Sequence, residues 1–143
     1  MDKDELEFKW VVPRCFDKAV DTKPDHYLTH LLGHEGPNSL LSKLQREGFA
    51  MGLYTYATHS MGAFTVINCG VRLTKEGLQN YERIIELTYS YLDNLRKVGP
   101  QEWVFEEQKK IDELSFRFKT KENYISYVTH LSERMRLMKP DEM

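Results

Sequence analysis

Cysteine is scarce in this sequence: Cys15 and Cys69 are the only two among 143 residues. Two thiols so far apart build neither a disulfide framework nor a zinc knuckle, and their scarcity fits reduced thiols in a cytoplasmic protein. An excess of charge is missing as well. Twenty basic and 22 acidic side chains leave a net charge of -2, which provides no large basic field for phosphate backbones or anionic lipid and argues against nucleic acid and membrane as partners. Nor is there a long apolar run. The uncharged stretch from Ala50 to Val71 carries His59, Ser60, Asn68 and several glycines, so it reads neither as a membrane span nor as an N-terminal signal. Internal repeats, low-complexity runs and a flexible linker are also lacking.

The composition that remains, 41% hydrophobic and 29% charged, belongs to a globular chain. Its length suits one domain with a real core. Leu6, Phe8, Trp10 and Val12 alternate with Glu5, Glu7, Lys9 and Val11 and predict a strand stopped by Pro13. Pro24 and Asp25 start a helix carrying Tyr27, Leu28, Leu31 and Leu32, expected to end at His34 to Gly36. A short helix capped by Asn38 or Ser39 follows, with Leu40, Leu41 and Leu44 buried and Gly48 as its stop. Residues 49–58 and 63–73 read as a hairpin, with His59 to Gly62 as the turn.

Thr74 should cap one long helix running to Lys97, broken by Gly99 and Pro100. Pro100 is placed to begin the next helix, with Val104, Ile111, Leu114 and Phe118 to bury. A last helix from about Glu122 to Met138 should bury Tyr124, Val128, Leu131 and Met135. Trp10 and Trp103 read as packing anchors. The expected fold is α+β, a single domain over residues 1–143 with about three strands in an antiparallel-type sheet and about five helices. Three strands are few for this length, so the sheet is expected to continue in residues outside this sequence.

The segment His30-Leu31-Leu32-Gly33-His34-Glu35-Gly36-Pro37 has the two histidines of an H-x-x-E-H zinc motif with glycine in place of the acid. On a helix, His30 and His34 would lie one turn apart on one face and could grip a metal together. Catalysis requires in addition a carboxylate to activate a metal-bound water, and Gly33 has none. Shifting the frame does not help, because H-E-x-x-H read from His34 meets Asn38. Three readings stay open from the residues alone: packed or solvated helix-end histidines, a weak metal site at His26, His30 and His34, or recognition of a ligand by polar groups at a helix end.

The blocks His26 to Leu28, His30 to Pro37, Ser39 to Ser42, Leu73 to Gly77, Gly99 to Phe105 and Phe116 to Lys119 closely resemble the second domain of the insulin-degrading-enzyme family, the insulinase or pitrilysin class of zinc metallopeptidases, with the nardilysin branch the second-best match. The resemblance runs in one order from about Phe8 to Arg136. It implies a truncated insulinase/pitrilysin-type domain, the noncatalytic repeat of a catalytic sister that alone carries the working H-x-x-E-H. The resemblance puts the family's distal glutamate ligand at Arg117, which cannot bind zinc; Glu113, one turn earlier, is the alternative, and it would still leave the site without a general base. No cofactor is therefore expected in this chain, and zinc is expected in the catalytic domain of the parent enzyme.

The resemblance further implies an exosite that anchors the N-terminus of peptide substrates, carried over to His26, His30, Gly33 and Glu35 at the helix end and to Leu53 and Thr55 on the following strand. Its expected partners are peptides and the other domains of the parent enzyme. Two departures from the family pattern are Tyr54-Thr55-Tyr56, where a glycine pair follows the leucine in relatives, and Asn38 in place of a small glycine. A second expectation is a free-standing paralogue that pairs with a full-length relative or sequesters peptides, motivated by the incomplete sheet.

Overall fold

The computed structural model describes residues 4–13, 22–60 and 64–135. Strand β1 (Glu5–Pro13) is followed by helices α1 (Pro24–Leu32) and α2 (Leu40–Arg46), then by β2 (Ala50–Ser60) and β3 (Phe64–Leu73). Helices α3 (Lys75–Gln79), α4 (Tyr81–Val98), α5 (Glu102–Arg117) and α6 (Tyr124–Met135) complete the order. The three strands form an antiparallel sheet in the order β1-β3-β2, so the fold is α+β as expected. Cys15 and the tip of the predicted hairpin turn lie outside the described residues. Among the described residues no helix is long and apolar enough to cross a membrane.

The period-two pattern of the strands decides how residues 1–102 fold. Thr65, Ile67, Cys69, Val71 and Leu73 of β3 are 0–4% exposed and share one face. In register with them stand Leu6, Phe8 and Trp10 of β1 and Leu53 and Thr55 of β2. Leu40, Leu41 and Leu44 of α2 and Ile84 of α4 join this face in one core. The opposite face is polar and aromatic. There the Tyr54 ring covers the backbone of Gly70 and stacks on Tyr56, its hydroxyl donates to Glu7 Oε1 at 3.4 Å, and its phenol is pushed up to about 12, chiefly by the Glu5 carboxylate.

Caps fall where short polar side chains occur. Ser39 Oγ accepts from the Ser42 N–H at 3.1 Å and starts α2, while Thr74 Oγ1 accepts from the Gly77 N–H at 2.9 Å and starts α3. The long helix expected from Thr74 is broken at Asn80, whose side chain donates to the Glu76 carbonyl at 2.8 Å and whose backbone leaves the helical region. The break lets α3 lie against the strand entry. A Cβ on Gly77 would collide with the Phe49 carbonyl, so only glycine permits that approach.

From Trp103 on, the described residues form a second compact unit. Its α5 starts at Glu102, two residues after the expected Pro100. Of the side chains expected to be buried there, Val104 is, whereas Ile111, Leu114 and Phe118 are exposed, as are Tyr124, Val128 and Met135 of α6. Helical periodicity identifies an apolar face, and nothing in it supplies the element that would cover that face. Trp103, expected to anchor packing, is 67% exposed, whereas Trp10 stacks on Phe8 with ring centroids 5.6 Å apart.

Two outcomes check this packing. Gly77→Ala should destabilise the chain by about 1–3 kcal/mol in urea unfolding, because the new methyl overpacks against backbone that cannot rotate away. Burial pushes the Cys69 thiol up from its ordinary range to about 11. A raised value favours the folded state fully below the unfolded pKa, so the contribution of Cys69 should fade as pH rises from about 9 to 11. The stability gap between wild type and Cys69→Ala should narrow across that window.

Candidate functional site

The site is built where the carboxyl end of α1 meets β2. Pro24 occupies the first turn of α1, where its missing N–H costs nothing, and Leu32 and Thr29 fix the buried side of the helix. Tyr91 of α4 donates to the Leu31 carbonyl at 3.1 Å, and the Gln101 N–H donates to the Tyr27 hydroxyl at 2.8 Å. These bonds hold the helix from its far side. The helix stops at Leu32, earlier than expected, with Gly33 as its cap. His34 therefore lies just beyond the helix, although its N–H still bonds back to the Leu31 carbonyl at 3.4 Å.

The Gly33 N–H closes the last turn on the Thr29 carbonyl at 2.9 Å. The Thr55 hydroxyl donates to the same oxygen at 2.7 Å. A Cβ placed on Gly33 would stand 2.6 Å from Thr55 Oγ1, so glycine is what allows helix end and strand to meet. Gly33 and Thr55, expected to belong to one site, are brought into contact. Leu53 is different: its side chain is buried in the core, which leaves only its backbone to face a ligand.

The direction of that backbone follows from the sheet. The Leu73 N–H bonds to the Asp4 carbonyl at 2.9 Å, so alternate residues of β3 from Leu73 onward turn their backbone groups to β1 and the intervening Arg72, Gly70 and Asn68 turn theirs to β2. Their register partners on β2 are Gly52, Tyr54 and Tyr56. Leu53, Thr55 and Ala57 consequently point their N–H and C=O groups away from the sheet, along an edge that pairs with no described strand.

Beyond Gly33 the chain turns tightly. His34 Nδ1 accepts from the Gly36 N–H at 3.1 Å, and the ring lies so close over Gly36 that any side chain there would collide with it. His30 and His34 meet edge to face with ring centroids 5.8 Å apart. His26 is exposed one turn before His30, and Glu35 is exposed in the turn. This arrangement does not fit zinc. Coordination through His34 Nε2 would require the proton on Nδ1, opposite the Gly36 N–H, and no described cluster of three or more His, Cys, Asp or Glu could hold a metal ion. The His34 to Gly36 bond escapes a motif search, although a histidine two residues before a glycine was its visible trace.

The fold and the site define a peptidase-family domain: residues 2–111 match the family described as peptidase M16 inactive domain. The chain belongs to the M16 peptidase family. It is 41% identical over 120 residues to the insulin-degrading enzyme of Drosophila melanogaster, covering 84% of this chain and 12% of that one. It is 42% identical over 115 residues to that of Homo sapiens, covering 80% and 11%, and 32% identical over 136 residues to the nardilysin of Rattus norvegicus, covering 92% and 12%. The crystal structure of pitrilysin superposes with a TM-score of 0.86 at 25% identity, over 95% of this chain and 14% of the other. The chain thus spans roughly an eighth of these relatives.

The contact of Gly33 with Thr55 is testable. Gly33→Ala should destabilise the chain by about 1–3 kcal/mol, and most of that loss should vanish in a Thr55→Gly background, where the collision partner is gone. Equal losses in both backgrounds, measured by urea unfolding, would show that the two positions do not touch.

Proposed function

We propose that this chain is a noncatalytic, substrate-anchoring segment of one domain of an insulin-degrading-enzyme-like zinc metallopeptidase, holding the amino terminus of an extended peptide while other domains of the parent enzyme hydrolyse it. The observation that carries this reading is the meeting of the end of α1 with β2 at Gly33 and Thr55, a strand whose Leu53, Thr55 and Ala57 backbone groups face outward, with Glu35 exposed two residues after Gly33. A peptide strand can pair with that edge through main-chain hydrogen bonds. Glu35 makes no ion pair among the described residues, and a carboxylate so placed can pair with a protonated α-amino group. In this reading His26 and His30 contribute from the helix, and Gly33 admits close backbone contact.

The role is binding and not chemistry. A general base contributes about 10²–10⁴-fold to such a reaction, and position 33 carries none. The hydrolytic zinc belongs, in this reading, to a catalytic domain elsewhere in the parent, and the setting is the cytoplasm. A second reading, a free-standing paralogue that pairs with a full-length relative or sequesters peptides, is favoured by the exposed apolar side chains of α5 and α6, which suit a partner surface. It requires a defined complex in a size measurement where the first predicts a monomer.

Fluorescence anisotropy with a carboxyl-terminally labelled extended peptide tests anchoring directly. Binding should weaken when the peptide is acetylated at its amino terminus, and the Glu35→Gln variant should lose affinity only for the unacetylated form. Indifference to both changes would remove the anchoring role.

A further inference from the structure

We propose that Thr55 sets the size of the peptide side chain that this anchoring edge admits, restricting the residue opposite it to glycine, alanine or serine; this rests on the anchoring reading above. Thr55 is one of the three β2 residues whose backbone groups face outward. In a strand pair its partner on the incoming peptide would exchange both main-chain bonds with it. Side chains directly opposite each other project from the same face with Cβ atoms about 4.5–5.5 Å apart. For Thr55 that face is the helix face, shared with Cys69 and Phe8 in register.

On that face the Thr55 side chain is packed against the end of α1. Thr55 Oγ1 lies 2.7 Å from the Thr29 carbonyl and 2.6 Å from where a Gly33 Cβ would stand. The hydroxyl is held there by its hydrogen bond, and a β-branched side chain has little freedom to swing aside. The guest side chain meets a threonine locked against a helix end. A small one fits beside it; a larger one has to displace Thr55, the Thr29 bond or the end of α1.

The experiment uses the 143-residue chain and a set of carboxyl-terminally labelled alanine-serine peptides with free amino termini, the parent sequence and versions with leucine at the first, second, third or fourth residue. Wild type should bind one leucine peptide at least about tenfold more weakly than the parent peptide, the scale of a steric mismatch of this size. Thr55→Gly should abolish that penalty, and Thr55→Val, which keeps the shape and loses the hydrogen bond, should retain it. Thr55→Ser, with its methyl removed, should relieve it in part and serves as the second opened variant if glycine weakens the strand; unfolding curves verify that each variant is folded. Equal binding of all leucine peptides to wild type, or a penalty that survives in both opened variants, overturns the role of Thr55 and leaves anchoring intact. If the parent peptide itself binds no form of the chain, anchoring has failed and the gate falls with it.

Discussion

The sidedness of β3 is the constraint from which the rest of the first unit follows. It is the central strand, and its helix-facing residues Ile67, Cys69, Val71 and Leu73 are almost fully buried. Because side chains alternate strictly along a strand, slipping either neighbour by one residue would bring Glu7 or Tyr54 into the core and turn Phe8 or Leu53 out to water. Burying the Leu53 side chain alone is worth on the order of 1.5–3 kcal/mol. The register is therefore held by transfer energy, and it also fixes which β2 backbone groups are left facing outward.

Onto that frame α1 is attached at its end by a side chain and not only by apolar packing. A buried helix carbonyl can accept two hydrogen bonds, and Thr29 uses both, one for the Gly33 N–H that closes the helix and one for the Thr55 hydroxyl. One oxygen thus joins local helix geometry to long-range placement. The turn beyond it is set by the bond from the Gly36 N–H to His34 Nδ1, which orients the segment carrying Glu35. The segment carrying Glu35 thus rests on secondary structure through short, directional contacts.

Much of this was legible in the residues. Alternation in β1 and β3, the capping threonine before α3, the serine before α2 and the glycine pattern of 30–37 each have a local physical cause, and each marked its element. What was not legible depended on partners distant in sequence. The break at Asn80 answers to Phe49, against which Gly77 must fit; helical spacing through Leu78 and Tyr81 conceals it. The exposed stripe of α6 has the same spacing as a buried one, since periodicity encodes a face and not its neighbour. The candidate residues were placed by resemblance, while the contact between Gly33 and Thr55 needed coordinates, because nothing in a sequence says which strand residue stops beside a helix end.

That contact also explains why the degenerate motif is not one substitution from a working one. A catalytic carboxylate at position 33 would need a Cβ where Thr55 Oγ1 already stands within 2.6 Å. It would also need His34 free to turn a ring nitrogen to the metal, yet His34 Nδ1 is engaged by the Gly36 N–H. Glycine at 33, threonine at 55 and glycine at 36 are mutually consistent in a helix end packed tightly on a strand edge, and each is inconsistent with an open metal site. The same histidine spacing therefore serves a different physical end here: the rings shape a compact turn, and the space vacated by the acid is filled by the strand.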